Sequence, residues 1–330
     1  MKTAVIGDGG WGSALAMVLD RNGHETTVWG PFEETRAMIQ LCGENKTYLP
    51  GVQLPKSLRW TTDPAEAVEG AGLVVLVVPS RFYKSTMEVF KPYIPADALV
   101  VSATKGLDEK THERMSAVAE RILERPVAVL SGPSHAEEVA RGVPCAVSIA
   151  AKDHAVAVQI QELFVNDAFR VYTLDDVVGV ELGGALKNVI AVAAGIGDGM
   201  GYGDNSKAAL MTRGIAEITR LGVALGAKPE TFSGLSGIGD LMVTCMSKHS
   251  RNRGVGERLG KGESLEQIMG SMKMVAEGVW NCQAAKELAD ELGIPVPITA
   301  EVCAVVHGGK NPREAVTDLM QRSPKPEQEP

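Results

Sequence analysis

The chain has no paired cysteines, no long uncharged apolar run and no excess of positive charge, and each absence removes a class of function. Five cysteines stand among its 330 residues, Cys42, Cys145, Cys245, Cys282 and Cys303, odd in number, scattered and never spaced C-x-x-C. That pattern argues against a disulfide framework and a structural zinc site, and it fits a reducing compartment, with the cytoplasm as the default. No uncharged apolar stretch approaches the ~20 residues that cross a bilayer, so no membrane insertion is expected. Met1-Lys2-Thr3 leads straight into a strand pattern, which leaves no room for a signal peptide. Lysine and arginine total 33 against 41 aspartates and glutamates, a net charge of −8 that opposes binding to nucleic acid or anionic lipid. An anionic substrate would have to be drawn in by a local cluster of bases. No internal repeat is visible, and no His/Cys/Asp cluster asks for a metal.

What is present is ordinary for a globular protein: 45% hydrophobic and 22% charged residues, in a length that suits two domains. Valine-rich segments at 3–6, 26–29, 73–78, 98–102, 127–130, 146–149 and 169–173 read as buried strands. Helix-length segments at 13–21, 81–90 and 111–123 lie between several of them, a rhythm that predicts a parallel sheet covered on both faces. From Val177 onward almost everything reads as helix: 180–194, 206–225, a segment after Ser250, 264–269, 281–292, 298–307 and 312–320. The boundary is placed at 180, with a helical domain over 181–322 and a tail, 323–330, that lacks apolar residues and reads as disordered. The loop over 41–57 carries glycine and two prolines and reads as mobile, with no legible function.

Gly7-Asp8-Gly9-Gly10-Trp11-Gly12 fits G-x-G-x-x-G, follows the first strand and opens a helix with Trp11, Leu15, Val18 and Leu19 at helical spacing. Gly7 would allow the tight turn, Gly9 the close approach of a pyrophosphate and Gly12 close helix–strand packing, with the helix N-terminus offering N–H groups to the diphosphate. Residues 1–180 therefore read as a Rossmann-like, doubly wound, mostly parallel sheet that binds NAD(H) or NADP(H). The second strand ends Val28-Trp29-Gly30-Pro31-Phe32, with neither an acid for ribose hydroxyls nor an adjacent arginine for a 2′-phosphate; Glu33, Glu34 and Arg36 come later. The choice between the two cofactors stays open.

Farther along, Gly184-Ala185-Leu186-Lys187-Asn188 places one lysine inside an apolar helical pattern, and glycines at 195, 197 and 199 follow. Such a lysine is costly unless it is paired or working, and the glycines would keep the backbone close to whatever it faces. Lys105 sits in a Thr-Lys-Gly turn directly after a strand, on the edge where doubly wound sheets bind ligands, although locally it also reads as a surface lysine. Ser134 and Glu137 form an S-x-x-E capping box, which would leave Gly132 and the nearby backbone to touch ligand. Asp240 stands alone among apolar and glycine residues at 235–245, either a buried helix cap or a site acid. Lys248-His249-Ser250-Arg251-Asn252-Arg253 opens a helix with forked donors and backbone N–H groups, a physical phosphate site or else a solvated charge run.

Assembled, these motifs closely resemble the NAD(P)-dependent glycerol-3-phosphate dehydrogenases of the soluble bacterial type, over residues 2–319. The resemblance rests on the glycine motif at 7–12, Thr-Lys-Gly-Leu at 104–107, Ser-Gly-Pro-Ser at 131–134 and the specific 184–205 segment. Gly-Asp-Leu at 239–241, Ser-Arg-Asn-Arg at 250–253 and Val-Ala-Glu-Gly at 275–278 add to it. It implies reversible reduction of dihydroxyacetone phosphate to sn-glycerol 3-phosphate, feeding phospholipid synthesis, by a homodimer. By matching position it implies Lys187 as general acid/base, Lys105 and Asp240 as charged companions, and Ser250, Arg251 and Asn252 as a phosphate clamp. Gly132 and Ser134 would line the substrate pocket; Gly7, Gly9, Gly10, Trp11, Gly12, Lys105, Ala136, Arg251, Val275 and Glu277 would serve the cofactor. Gly30-Pro31 departs from relatives that often carry a base there, which puts NADPH preference in doubt. The rival readings are a β-hydroxyacid or sugar-phosphate dehydrogenase and a non-catalytic nicotinamide sensor.

Overall fold

The structure is a computed structural model and describes residues 1–272 and 276–327. Among these, eight strands form one sheet: β1 Lys2–Ile6, β2 Glu25–Trp29, β3 Arg59–Thr61, β4 Leu73–Leu76, β5 Leu99–Ser102, β6 Ala128–Ser131, β7 Cys145–Ala150 and β8 Phe169–Leu174. Their order is β3-β2-β1-β4-β5-β6-β7-β8, with every pair parallel except β6 and β7. Strand order reverses between β1 and β4, the switch point at which doubly wound sheets open a ligand crevice. Seven helices cross over this half: α1 Gly10–Arg21, α2 Glu33–Cys42, α3 Pro64–Val68, α4 Ser80–Phe90, α5 Met115–Leu123, α6 Ala136–Ala140 and α7 His154–Phe164, counted among the described residues.

The strands are apolar on both faces because both faces are covered. Val5 of β1 points into a core shared with Leu15 and Val18 of α1 and Ile160 of α7. Ala4 and Ile6 point the other way, toward Tyr83, Met87 and Phe90 of α4 and Val118 of α5. β3 escapes a sequence reading because Arg59-Trp60-Thr61 is short and pairs only at the sheet edge. The helix anticipated over 111–123 begins only at Met115: the Asp108 carboxylate collects the N–H groups of Lys110 and Thr111 into a turn, and His112 has φ 55°. The loop read as mobile is instead packed, with Asn45 and Leu49 fully buried and Val52 and Leu54 joining the α1 core.

The second half is helical: α8 Val177–Gly199, α9 Asp204–Ala224, α10 Pro229–Phe232, an irregular turn Leu235–Gly239, then α11 Asp240–Met246, α12 Arg251–Gly260, α13 Leu265–Ser271, α14 Glu277–Leu292, α15 Pro297–Gly308 and α16 Pro312–Met320. α8 is its axis. At 23 residues it is long and apolar enough to cross a bilayer, yet 89% of its most apolar window is buried inside the protein. Of the glycines after Lys187, Gly195 and Gly199 serve helix packing rather than the lysine, while Gly197 has only the Tyr202 ring near it. A Cβ on Gly195 would lie 2.0 Å from the Arg253 carbonyl oxygen, and one on Gly256 of α12 would lie 2.0 Å from that of Val192. Only glycine on both helices lets the backbones approach so closely.

Candidate active site

Three charged side chains from three places in the chain meet where α8 passes the carboxyl ends of β5 and β6. Lys187 of α8 donates to Asp240 Oδ1 at 2.7 Å and to Thr244 Oγ1 at 2.6 Å. Lys105, in the loop after β5, donates to Asp240 Oδ2 at 2.7 Å, to the Gly132 carbonyl at 3.0 Å and to Ser134 Oγ at 3.3 Å. One carboxylate thus bridges two ammonium groups, one oxygen each. All three N–H bonds of Lys105 go to protein, whereas Lys187 uses two of its three among the described residues. The carbonyl, hydroxyl and carboxylate partners offset the cost of burying these charges.

The electrostatics differ between the partners. Burial lowers the Lys187 pKa to about 8; Asp240 pulls it back up, and Lys105 adds to the fall. Burial alone would raise Asp240, but the Lys105 and Lys187 ammonium groups hold it below the ordinary carboxylate range. Lys187 is therefore an ammonium poised to lose its proton near neutral pH, beside a carboxylate that stays ionised.

Asp240 is the first residue of α11 but caps nothing; its carboxylate turns to the two lysines. The kink that aims it sits at Gly237, where a Cβ would strike the Phe232 carbonyl oxygen at 2.1 Å. The S-x-x-E capping box is also corrected. His135, not Ser134, precedes α6, no side chain caps that helix, and Ser134 Oγ donates to the Gly132 carbonyl at 2.8 Å. Lys105 competes for that hydroxyl, which is why the local motif loses. Gly132 has φ +148° and is pressed against Val147, so its carbonyl is held toward Lys105.

α12 brings the basic run to the same cleft. Ser250 caps it by accepting from the Arg253 N–H at 3.2 Å. Asn252 is committed to the frame: its Nδ2 donates to Asn188 Oδ1 at 2.9 Å and its Oδ1 accepts from the Gly278 N–H at 2.9 Å. Arg251 is reached by solvent, yet desolvation by the surrounding protein lowers its pKa, with Glu277 and Glu137 opposing. Arg253 is not part of the cleft cluster; it pairs with Asp198 at 2.6 Å. Glu277, the first residue of α14, accepts from the Ser80 N–H at 3.1 Å and Oγ at 2.5 Å, which ties α14 to the start of α4. Val275 lies outside the described residues.

The glycine loop lies next to this cluster. A Cβ on Gly10 would meet that of Ala136 at 3.6 Å, so the start of α6, which follows the loop carrying Gly132 and Ser134, abuts the start of α1. Gly7 (φ +124°) is pressed to 2.5 Å of the Val77 carbonyl oxygen and Gly12 to 1.9 Å of that of Gly7, each measured from a Cβ built there. Gly9 alone of the four faces open space, and no side chain caps α1. Crowded turn glycines around one open one, before uncapped N–H groups, make a cradle for a diphosphate. The buried Trp11 Nε1 beside it has no hydrogen-bond partner. The residues fit a dinucleotide.

Residues 2–157 match the family model described as "NAD-dependent glycerol-3-phosphate dehydrogenase N-terminus", and residues 176–317 the one described as its "C-terminus". The chain belongs to this family. It is 53% identical over 320 residues to the glycerol-3-phosphate dehydrogenase [NAD(P)+] of Moorella thermoacetica, covering 97% of this chain and 95% of that one. To the Citrifermentans bemidjiense protein of the same name it is 48% identical over 330 residues, covering 99% and 98%. The crystal structure of glycerol-3-phosphate dehydrogenase from Coxiella burnetii superposes with a TM-score of 0.94 at 38% identity, covering 97% of this chain and 99% of that one. Family membership leaves the β-hydroxyacid and sugar-phosphate readings behind. Within the family frame, the structure brings Lys105, Gly132, Ser134, Lys187 and Asp240 together and sets Ser250 and Asn252 in the scaffold of α12. Sequence reasoning missed Thr244, the second partner of Lys187. Its signal was present: it stands four residues after Asp240, on the same face of one helix turn.

Proposed function

We propose that the chain interconverts dihydroxyacetone phosphate and sn-glycerol 3-phosphate with NAD(H) or NADP(H), with Lys187 as general acid and base. The observation that carries this reading is the ammonium of Lys187, buried, near its own pKa, and with one N–H uncommitted beside the fully committed Lys105. When bound, the cofactor supplies the hydride for reduction and takes it back on oxidation. Lys187 then stabilises the negative charge that grows on the ketone oxygen and gives it a proton; for oxidation, the neutral amine accepts the alcohol proton. Asp240 orients Lys187 and offsets its charge, while Lys105 keeps that carboxylate and the Gly132–Ser134 loop in place. Arg251, at the start of α12, supplies the forked donor for the phosphate, with Ser250 and Asn252 holding the helix end that presents it. Gly132 and Ser134 flank the substrate; Gly7, Gly9, Gly10, Trp11, Gly12, Ala136, Val275 and Glu277 serve the cofactor, joined by Lys105 and Arg251.

The same reading extends to two domains divided near residue 180, a homodimer, and a cytoplasmic role in supplying glycerol 3-phosphate for phospholipid. Family membership and the reduced cysteines support it. The test is a cofactor-oxidation assay with dihydroxyacetone phosphate, run separately with NADH and NADPH. Turnover with both, NADH at least as good, is the expected result; no turnover with either overturns the reading.

A further inference from the structure

A dinucleotide-binding sheet ordinarily distinguishes its cofactors at the end of the second strand, where an acid accepts from the ribose hydroxyls or a base receives a 2′-phosphate. Here that position is Gly30, followed by Pro31. Beyond it, Glu33 is paired with Arg36, so neither side chain is available as a lone charge at the strand end. The position is nevertheless charged, from another part of the chain. Asp8, between Gly7 and Gly9 of the glycine loop, turns its carboxylate into the volume that a side chain on Gly30 would fill. A Cβ built on Gly30 would stand 2.2 Å from Asp8 Oδ2 and 2.3 Å from Cγ. Gly30 has no positive φ, and its N–H donates to the Thr61 carbonyl at 3.2 Å, so the close approach of Asp8 is the reason that glycine is needed there.

The placement is held from behind. The Asp8 carbonyl accepts from Asn45 Nδ2 at 2.7 Å and from Ser13 Oγ at 3.4 Å, and Asn45 is fully buried. The packed loop after α2 therefore sets the orientation of Asp8. The residue is only 8% exposed, and among the described residues no other residue donates a hydrogen bond to its carboxylate. Burial pushes its carboxyl up to about 6, so it is mostly ionised at neutral pH. The titratable group facing it is the Tyr48 phenol on the packed loop, which burial and the Asp8 charge both raise. Its own backbone N–H is the donor it has, and a buried carboxylate so little satisfied is costly unless a ligand brings more. Beside Gly9, which faces open space for the diphosphate, the ligand group at hand is the adenosine ribose, with two vicinal hydroxyl donors.

We propose that Asp8 reads the adenosine ribose in this chain: from the glycine loop it takes the place of the missing strand-end acid, accepts from the 2′- and 3′-hydroxyls, and disfavours a 2′-phosphate. The proposal rests on the nicotinamide-dependent reading above, and it narrows the cofactor choice to a preference for NADH. Lys46, exposed, follows Asn45 in the chain.

The test measures equilibrium binding of ADP-ribose and of 2′-phospho-ADP-ribose by calorimetry, which needs no turnover. The wild-type chain should bind ADP-ribose several-fold more tightly than its 2′-phosphate. Asp8→Asn should weaken ADP-ribose and strengthen the 2′-phosphate, moving the ratio by about tenfold or more. Gly30→Ala, which leaves Asp8 in the sequence but displaces its carboxylate, should move the ratio the same way. A ratio within twofold of wild type in Asp8→Asn, or a wild-type chain that prefers the 2′-phosphate, overturns the proposal while the dehydrogenase reading stands. A wild-type chain that binds neither probe overturns both.

Discussion

At the scale of single residues, the site turns on how one ammonium differs from another. Lys105 and Lys187 share a carboxylate, yet only Lys187 keeps a proton uncommitted; burial lowers the Lys187 pKa to about 8. Lys187→Ala should therefore lower kcat by ~10²–10⁴-fold, the usual worth of general acid–base help, with ADP-ribose binding nearly unchanged in the same preparation. The pH dependence follows from the sign of the shift. The ammonium, required for ketone reduction, is lost as pH rises through about 8, so reduction should fall and alcohol oxidation should rise across that range. Asp240 raises the Lys187 pKa, so Asp240→Asn should move the midpoint of both profiles to lower pH. A midpoint that stays put in stopped-flow or steady-state profiles would remove Lys187 from the titration. A lysine in an apolar helix was legible as costly and hence paired; Thr244 was legible as the helix neighbour of Asp240, but its meeting with Lys187 needed the fold of α11 onto α8.

At the scale of elements, glycine does two opposite things in one helix. Gly256 of α12 is pressed against the Val192 carbonyl of α8, where a Cβ would come to 2.0 Å, while Gly254, two residues earlier, has nothing within 4 Å. Gly256→Ala should destabilise by about 1–3 kcal/mol through overpacking. Gly254→Ala should instead stabilise by about 0.5–1 kcal/mol, the helix-propensity gain of alanine over glycine. Thermal or urea unfolding of the two variants compares them directly, and equal effects would deny the close α8–α12 approach. Sequence spacing marked the α8 glycines at 195, 197 and 199 as special but assigned them to the lysine, and left Gly254 and Gly256 unmarked; which glycine touches a neighbour depends on where α12 crosses. The capping box at Ser134 failed for a similar reason. Its hydroxyl has a stronger claimant in Lys105, which is 29 residues away in the chain.

At the scale of the whole molecule, the cleft is assembled from both halves. Glu277 on α14 grips Ser80 at the start of α4, Asp240 on α11 grips Lys105 after β5, and Arg251 at the start of α12 feels the charges of Glu277 and Glu137. In the proposed reading, Arg251 holds the phosphate at one end of the substrate while Lys187 acts at the other, so binding energy at the phosphate would align the carbonyl. Arg251→Ala should raise KM for dihydroxyacetone phosphate far more than Kd for the cofactor, with a smaller defect on unphosphorylated dihydroxyacetone. An equal factor on both ketones in the steady-state assay would misplace the clamp. The proposed homodimer should show a molar mass of twice 34.9 kDa by light scattering, and a monomer mass would refute it.

What the chain determines by itself is local and periodic. The β-strand runs, the glycine turn before α1 and the apolar pattern of α8 are set by side-chain spacing and backbone freedom; the strands fall within two residues of the expected bounds, while α8 runs from Val177 to Gly199, past both ends of the expected 180–194. Short or polar elements such as β3 and α2 were beyond that reading, because their stability comes from neighbours rather than from their own pattern. Tertiary structure alone decided which charges meet. Asp240 is 53 residues from Lys187 and 135 from Lys105, and no propensity or period joins them. It also decided that Asp8 lies against Gly30, since only the parallel pairing of β1 with β2 puts the glycine loop beside that strand end. Burial then does what sequence cannot: in a low-dielectric cleft the same lysine becomes an acid near neutral pH, because its charge has lost water and gained a single carboxylate shared with another lysine.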